Sequence, residues 1–223
     1  MEVVIVLGGP NTKEDIKALL ENRYGKAYAD FRFVGVDGGA LRLLDQHLPM
    51  EVAIGDFDSV TKEQRDLIHE AAGTIVQLPC EKDDTDFEAA LLWVKEHFEG
   101  VPIHVLGSFG GRVDHAISTL WTMMRPDLAP LIPYVVFEDT TNVVNFIQPG
   151  TYTIEKMDFT KYLSFISMTP VENVTLIDVK YTLDSKSYAY PVALVSNEFT
   201  GDKMTISFTK GLILVAQTRD HWR

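Results

Sequence analysis

The sequence predicts an α/β fold, a mostly parallel sheet flanked by helices, followed by an all-β sandwich. From Met1 to about residue 140, short apolar runs alternate with amphipathic stretches, which is the pattern of parallel strands joined by crossover helices. After about residue 142, runs rich in Thr, Val, Tyr and Ile are separated by turn residues, which is typical of a β-sandwich. No repeat or long linker intervenes, and we predict two domains, 1–142 and 143–223.

The first part contains six predicted strands and three predicted helices. The strands are the short apolar runs Val3–Leu7, Arg32–Val36, Val52–Ile54, Thr74–Leu78, Ile103–Leu106 and Tyr134–Glu138. Each helix follows a capping signal, in which a Thr is followed three residues later by an acid or an amide. The helices are Lys13–Tyr24 after Thr12-x-x-Asp15, Lys62–Ala72 after Thr61-x-x-Gln64, and Asp86–Phe98 after Thr85-x-x-Glu88.

The second part contains seven predicted strands and no predicted helix. Turn residues such as Gln148-Pro149-Gly150 and Thr200-Gly201-Asp202 separate the runs, so consecutive strands are short and can fold back on one another. The predicted strands are Val143–Phe146, Thr151–Ile154, Tyr162–Ser167, Val174–Val179, Ala193–Asn197, Lys203–Phe208 and Leu212–Thr218.

The composition excludes several classes of protein. Twenty Lys and Arg residues against thirty-two Asp and Glu residues give a net charge of −12, which disfavours a nucleic acid partner. The same charge would repel free ATP, so a nucleotide-using protein of this kind needs a divalent metal and local cations. No segment approaches the roughly 20 apolar residues of a membrane span. Because the single cysteine, Cys80, cannot form an internal disulfide, we expect a reducing, cytoplasmic location.

Polar clusters follow four of the predicted strands, at the point where each strand ends. Open α/β sheets bind their ligands in the crevice beyond the carboxyl ends of the strands, so we expect these clusters to converge. They are Asp37-Gly38-Gly39, Gly55–Ser59, Glu81–Asp86 and Gly107–His115.

In the cluster after the third strand, two carboxylates lie two residues apart. If the backbone stays extended, Asp56 and Asp58 point to one side of the chain, and hard oxygen ligands in that arrangement suit Mg²⁺. The alternative is a solvated Asx turn that caps the helix starting near Thr61. Asp37 adds a further carboxylate at a strand end, and Gly38 lets a ligand approach the backbone. The alternative for this pair is the start of a helix.

The acidic run before the third helix has two interpretations. Asp and Thr are favoured caps, and acids in a first turn complement the helix dipole, so Thr85 and Asp86 fit a helix start. Three neighbouring aspartates also repel one another and would gain from a bound cation. Lys82, within the same run, is placed to meet a phosphate.

A Gly-rich loop runs from Gly107 to Gly111 between a strand and a helix. Such a loop exposes backbone N–H groups to an anion, and the planar guanidinium of Arg112 can hold two phosphate oxygens. The loop lacks the Gly-Lys-Ser/Thr ending of a Walker loop and does not fit the dinucleotide fingerprint. The combination of Arg112, Asp114 and His115 is more than a neutral turn requires.

Taken together, the blocks resemble the signature of the thiamine pyrophosphokinases. The resemblance rests on their order and spacing, and it covers nearly the whole chain. The blocks of the first part are Val36–Ala40, Gly55–Ser59, Lys82–Ala90 and Gly107–His115, and those of the second part are Val179–Leu183, Val195–Phe199 and Gly211–Val215. The sequence departs from the family pattern at Val36, where Ala is frequent, and at Thr119, where bacterial members commonly have Asn.

The resemblance implies transfer of a pyrophosphoryl group from ATP to the hydroxyl of thiamine, which gives thiamine diphosphate and AMP, on a homodimer. It implies that the first domain binds the nucleotide and Mg²⁺ and that the second binds thiamine. The implied Mg²⁺ ligands are Asp56, Asp58 and Asp86. The implied ATP contacts are Asp37, Gly38, Lys82, Thr85 and Arg112, and the implied thiamine contacts are Asp114, Ser196, Asn197 and Tyr181.

Arg112 and Asp114 are also implied to take part in catalysis, and either Asp86 or Asp114 would accept the proton of the hydroxyl. Two other functions are compatible with clustered aspartates. One is a metal-dependent phosphohydrolase acting on a nucleotide or a phosphate ester. The other is a non-catalytic sensor of a nucleotide or of thiamine.

Overall fold

The structure is a computed structural model that describes residues 1–10 and 16–220. The chain divides into two compact units, Met1–Asp139 and Thr140–Arg223. Within the described residues, no helix combines the length and the apolar character needed to cross a membrane.

The first unit is built around six parallel strands in the order β6-β5-β1-β2-β3-β4. In the described residues of this unit, five α-helices connect them or follow them along the chain. The strands are β1 (Val3–Val6), β2 (Arg32–Val36), β3 (Met50–Gly55), β4 (Ala72–Gln77), β5 (Ile103–Leu106) and β6 (Val135–Glu138). The helices are α1 (Ile16–Tyr24), α2 (Gly38–Asp45), α3 (Lys62–Ala71), α4 (Asp86–His97) and α5 (Val113–Trp121).

The central strand β1 is buried along its whole length, and β5 is as well. Helices cover both faces of a parallel sheet of this kind, which explains why its strands appear in the sequence as continuous apolar runs. The register pairs Val36 of β2 with Ile54 of β3, so the residues that follow these two strands leave the sheet side by side.

The capping signals at Thr61 and Thr85 are confirmed. Each Thr hydroxyl accepts the backbone N–H three residues ahead, and the side chain of that residue accepts the backbone N–H of the Thr. Two of the otherwise unpaired N–H groups are thereby satisfied at the start of α3 and of α4. The predicted start of the first helix at Lys13, with its signal at Thr12 and Asp15, lies outside the described residues.

A buried polar network fastens α1 to the sheet. The Tyr24 hydroxyl donates to Glu138 Oε1 at 2.7 Å, and Arg23 Nη1 lies 3.0 Å from Glu138 Oε2. His104 lies between Glu138 and Glu2, with Nε2 2.6 Å from Glu2 Oε2. Burial opposes the charge on His104, but the two carboxylates prevail and raise the pKa of the imidazole above its usual value. The paired carboxylates therefore favour the imidazolium at this site.

The second unit consists of two antiparallel groups of four strands, in the orders β12-β9-β14-β7 and β11-β10-β13-β8. One apolar core contains residues of both groups, including Phe165, Leu176, Ile206 and Val215, which makes the unit a β-sandwich. The strands are β7 (Asn142–Ile147), β8 (Gly150–Glu155), β9 (Tyr162–Ser167), β10 (Val171–Ile177), β11 (Leu183–Tyr188), β12 (Ala193–Asn197), β13 (Lys203–Phe208) and β14 (Ile213–Thr218).

The predicted fold class is confirmed, with a mostly parallel sheet flanked by helices before an antiparallel sandwich. Each predicted strand overlaps an observed one. One strand was not predicted, β11, whose sequence Leu183–Tyr188 has four exposed residues in its centre and no apolar alternation. β11 is a strand because it pairs with β10, although its own side chains are mostly exposed.

Candidate active site

Three carboxylates meet at the ends of β2 and β3. Asp37 directly follows β2, and Asp56 and Asp58 follow β3. One ligand oxygen from each of the three lies within 4.8 Å of the others. Asp37 is fixed by Ser59, whose hydroxyl donates to Asp37 Oδ2 at 2.8 Å. The convergence expected of these strand ends is therefore present in the first unit.

The backbone at this cluster is unusual. Asp37 has φ 47° and ψ −120°, and Phe57 has φ 55° although its side chain is fully buried. Non-glycine residues in such conformations cost on the order of 1–3 kcal/mol each, and they concentrate at functional sites. The turn between Asp56 and Asp58 is consequently not extended, and the Asp58 N–H donates to Asp56 Oδ1 at 3.2 Å. This is the hydrogen bond of the Asx-turn alternative, and it coexists with the clustering of the carboxylates.

Gly55 allows β2 and β3 to lie this close at their ends. A Cβ at Gly55 would lie 3.2 Å from both Cα and N of Asp37. That separation is tighter than ordinary van der Waals contact, so a larger residue would push Asp37 away from Asp56.

Lys82 bridges Asp56 and Asp86. Its Nζ lies 3.3 Å from Asp56 Oδ2 and 3.0 Å from Asp86 Oδ1. Burial would raise the pKa of Asp56, but the Asp58 N–H and the Lys82 ammonium together hold it below its usual value. For Asp86, burial dominates and, with the charges of Asp56 and Asp37, raises the pKa against the opposing effect of Lys82. A positive group therefore already occupies the space between two of the predicted metal ligands.

Thr85 and Asp86 lie at the start of α4. Glu88 Oε2 accepts both the backbone N–H of Thr85, at 2.8 Å, and its hydroxyl, at 3.0 Å. The capping interpretation of this acidic run therefore holds for Thr85 and Glu88. Cys80, exposed and free, directly precedes this run and follows Pro79, whose carbonyl accepts a hydrogen bond from Lys82 Nζ at 3.1 Å.

A cleft of about 670 Å³ opens beside the acidic cluster. Close backbone approach requires glycine at and beside the cleft, because a Cβ on Gly9, which lines it, would collide with the carbonyl oxygen of Gly107, and a Cβ on the neighbouring Gly39 would collide with that of Val6. Two buried polar atoms, Asp37 Oδ1 and Ser108 Oγ, have no hydrogen-bond partner within the described chain. The predicted site residues that line the cleft are Asp37, Gly38, Thr85, Asp86, Arg112 and Asp114.

Arg112 and Asp114 form an exposed ion pair at the start of α5. Arg112 Nη2 lies 2.6 Å from Asp114 Oδ2, and Nε lies 3.2 Å from Oδ1. The hydrogen bond from the guanidinium lowers the pKa of Asp114 to about 2. The carboxylate is thus ionised at neutral pH and occupies the guanidinium face that a phosphate would use.

Tyr181, Ser196 and Asn197 lie together in the second unit. Asn197 is buried, and its amide holds the backbone of Tyr181 from both sides, with Oδ1 accepting Tyr181 N–H and Nδ2 donating to Tyr181 O, each at 2.9 Å. The Tyr181 ring is 61% exposed. Ser196 has φ 60°, and its N–H donates to Ser164 Oγ at 3.2 Å. Asn197 therefore positions the loop on which the exposed ring is presented.

Ser59 and Ser108 lie at this site but are not among the predicted site residues. Ser59 ends the Gly55–Ser59 block, and its hydroxyl fixes Asp37. Ser108 belongs to the Gly-rich loop, and its hydroxyl is buried at the cleft wall. A serine beside a glycine turn gives no signal in the sequence that separates a site residue from an ordinary turn residue.

Two family models match the chain in succession. The description of the first, over residues 28–133, is thiamin pyrophosphokinase, catalytic domain. The description of the second, over residues 151–213, is thiamin pyrophosphokinase, vitamin B1 binding domain. Each match falls within one of the two units.

Relatives and solved structures agree with these matches over almost the entire chain. The chain is 32% identical to the thiamine pyrophosphokinase of Bacillus subtilis (strain 168), over 97% of this chain and 98% of that protein. It is similar to the crystal structure of a thiamin pyrophosphokinase family protein from Enterococcus faecalis, with a TM-score of 0.87, 33% identity and coverage of 99% and 100% of the two chains. For the crystal structure of the Bacillus subtilis enzyme, the TM-score is 0.81 and the identity is 30%, with the same coverage. The chain therefore belongs to the thiamin pyrophosphokinase family of enzymes.

Proposed function

We propose that this enzyme transfers the pyrophosphoryl group of ATP to the hydroxyl of thiamine, giving thiamine diphosphate and AMP. The observation that carries the proposal is the cluster of Asp37, Asp56 and Asp58 at the ends of β2 and β3, beside a cleft of about 670 Å³. Phosphate chemistry requires metal-binding oxygens next to a space large enough for a nucleotide, and the cluster and the cleft supply both.

The carboxylates fit Mg²⁺. The ion prefers hard oxygen ligands and usually combines one or two carboxylates with waters and phosphate oxygens. Asp37 Oδ1 is buried without a partner in the described chain, and three carboxylates within 4.8 Å gain from a cation. Asp56 and Asp58, with Asp37 beside them, would hold the ion, and Asp86 would join them if Lys82 moves towards a phosphate. Mg²⁺ bound there would offset the charge of the phosphates.

The first domain, residues 1–142, would bind the nucleotide. The glycine turns at Gly9 and Gly38 bring backbone close to the cleft, and Thr85 lies at its edge. Lys82 and Arg112 are the local cations that an acidic chain needs for a polyphosphate. Arg112 is paired with Asp114, so its guanidinium would release the Asp114 carboxylate when it binds the oxygens of a phosphate.

The reaction would proceed by attack of the thiamine hydroxyl on the β-phosphorus, with AMP departing. Such transfer depends mainly on positioning and on stabilisation of the charge on the transferred group, so no covalent enzyme nucleophile is needed. Asp86 and Asp114 both line the cleft, and they are the two candidates that would accept the hydroxyl proton.

The second domain, residues 143–223, would bind thiamine. The match of residues 151–213 to the vitamin B1 binding domain supports this assignment. The exposed Tyr181 ring offers an aromatic face for a substrate ring, and Ser196 lies in the same segment as Asn197. In this proposal Asn197 contributes by holding Tyr181 in place.

One assay tests the proposal. We expect AMP and thiamine diphosphate in equal amounts when the enzyme is incubated with ATP, thiamine and Mg²⁺, and no AMP when thiamine is left out. Inorganic phosphate released without thiamine, in the absence of AMP, would contradict the proposal and identify a phosphohydrolase. No turnover at all with Mg²⁺ and ATP would instead favour a sensor.

A further inference from the structure

Arg125 forms ion pairs with three carboxylates in and near the acidic run. Its Nη1 contacts Asp84 Oδ1 and lies 3.3 Å from Glu88 Oε1. Its Nε and Nη2 donate to the two oxygens of Asp127 at 3.1 and 2.8 Å. The guanidinium therefore uses its planar fork on Asp127 and its remaining edge on the acidic run.

The two contacts on the acidic run lie on either side of Thr85 and Asp86. Asp84 precedes them, and Glu88 is the acid of the capping box. Glu88 divides its oxygens, because Oε2 accepts from Thr85 while Oε1 faces Arg125. Arg125 thus contacts two carboxylates, those of Asp84 and Glu88, on the segment that carries Lys82 and Asp86.

Arg125 is not among the described residues that line the cleft, and its ion pairs are with Asp84, Glu88 and Asp127, not with Lys82 or Asp86. It lies in the chain directly after the short 3₁₀ turn Thr122–Met124, which follows α5. It therefore links the segment after α5 to the loop before α4. Without its charge, Asp84, Glu88 and Asp127 would be left as three neighbouring carboxylates, which would repel one another.

We propose that Arg125 is a positioning residue for the reaction, which acts by holding Asp84 and Glu88 so that Lys82 and Asp86 face the acidic cluster. The inference rests on the proposed function. It assigns to Arg125 the counter-charge for Asp84 and Glu88, while Lys82 supplies the counter-charge for Asp56 and Asp86. Partners that orient site residues from behind typically change metal affinity or activity by about 10- to 100-fold when they are removed.

The test compares Arg125→Gln with Arg125→Lys and with Arg32→Gln. We expect Arg125→Gln to lower kcat by about 10-fold or more and to raise the Mg²⁺ concentration needed for half-maximal rate, with KM for thiamine unchanged. Arg125→Lys should recover part of kcat, because it keeps the charge but loses the fork. Arg32→Gln removes another exposed ion pair of the first unit, Arg32 with Glu51, and should leave all three quantities unchanged.

Hydrogen exchange provides a measurement that does not depend on activity. In Arg125→Gln we expect faster exchange of the amides of residues 82–88, and unchanged exchange in β1 and β5. If Arg125→Gln does not fold, Asp84→Ala serves instead, since it removes one contact and leaves Arg125 paired with Glu88 and Asp127, and it should speed exchange in the same residues.

The outcomes separate this inference from the proposed function. Wild-type kcat and Mg²⁺ dependence in Arg125→Gln, with unchanged exchange at residues 82–88, would overturn the positioning role alone. An equal loss of exchange protection throughout the first unit would also overturn it, because Arg125 would then stabilise the whole unit and not residues 82–88 in particular. A wild-type enzyme that makes no AMP would contradict the proposed function, and the exchange experiment would still decide whether Arg125 holds the segment.

Discussion

At the scale of single residues, the acidic cluster combines two unfavourable features. Asp37 and Phe57 hold backbone conformations that non-glycine residues seldom adopt, and Asp37, Asp56 and Asp58 bring like charges within 4.8 Å. Like charges at such a separation destabilise one another unless a counter-charge is present. Both features are explained if the residues serve to hold a cation.

We expect Asp56→Asn and Asp86→Asn to leave folded proteins whose kcat falls by at least about 10²-fold, because charge at the transferred group is the main demand of the reaction. Mg²⁺ should raise the Tm of the wild-type protein, and Asp56→Asn should reduce that rise, since an ion that binds only the folded state stabilises it. Rates and melting curves with and without Mg²⁺ measure both effects.

Asp66→Asn is the matched control for these variants, because Asp66 is exposed on α3 and lines no part of the cleft. It should retain wild-type activity and the wild-type response to Mg²⁺. Near wild-type rates in Asp56→Asn and Asp86→Asn together would show that neither residue is an essential ligand.

The sequence predicts several of the residues that lie at the site, but it does not predict which of them contact one another. Asp37 was assigned to the nucleotide, but its carboxylate lies within the group formed with Asp56 and Asp58. The register of β2 and β3 and the hydrogen bond from Ser59 determine that position, and neither has a local pattern. Arg125 follows the Gly107–His115 block by ten residues, and only the tertiary structure brings it to Asp84.

At the scale of elements, two helices begin with the same device but in different surroundings. Thr61 caps α3 and Thr85 caps α4, each with a complete capping box. Only Thr85 lines the cleft and precedes a predicted metal ligand. The pair therefore separates the effect of a cap on stability from its effect on the site.

We expect Thr61→Ala and Thr85→Ala each to lower the free energy of unfolding by about 1 kcal/mol, the usual contribution of an N-cap hydroxyl. Only Thr85→Ala should also lower kcat, because it releases the contacts between Thr85 and Glu88 at the start of α4, where Asp86 lies. Urea unfolding and steady-state rates on both variants provide the comparison. Equal kcat in the two variants would contradict a site role for the start of α4.

Most elements follow from local patterns because their apolar residues recur at the period of the structure. The strands Arg32–Val36, Ile103–Leu106 and Tyr162–Ser167 have the predicted bounds. Among the strands, the exception is β11, which contains Asp184, Ser185 and Lys186, with Ser185 at φ 48°, and pairs with β10 through register shifts. Cross-strand pairing stabilises such an exposed strand, and a one-dimensional pattern does not record it.

At the scale of the whole molecule, α5 carries a stripe of exposed apolar side chains. Val113, Ile117 and Trp121 are spaced by four residues and are 72%, 49% and 55% exposed. Residues at this spacing lie on one side of a helix, and apolar surface of this kind marks interfaces more often than free surface. The stripe supports the proposal that the chain forms a homodimer.

We expect light scattering of the wild-type protein to give twice the chain mass of 25.1 kDa. Ile117→Asp should shift the mass towards that of one chain, since a charge in a desolvated apolar contact is costly. Leu67→Asp is the matched control, because Leu67 is 55% exposed on α3. A wild-type protein with the mass of a single chain would contradict the proposal.

The proposed roles of the two parts of the chain, nucleotide binding and thiamine binding, follow from the sequence only through the family resemblance. Strand-end aspartates indicated metal and phosphate, but nothing in the texture of the β-rich half specified thiamine. Tyr181 shows why, since its exposure depends on the clamp that the buried Asn197 forms on its backbone. Tyr181 and Asn197 are sixteen residues apart in the chain, so no local sequence pattern predicts their contact.

The exposed position of Cys80 has a practical consequence. It is the sole cysteine of the chain and lies two residues before Lys82. A thiol-reactive fluorophore would therefore attach at one place in an otherwise unaltered protein, on the segment that carries Lys82. Its emission would test the proposed movement of Lys82 from Asp56 towards a phosphate, while AMP formation is measured in the same sample.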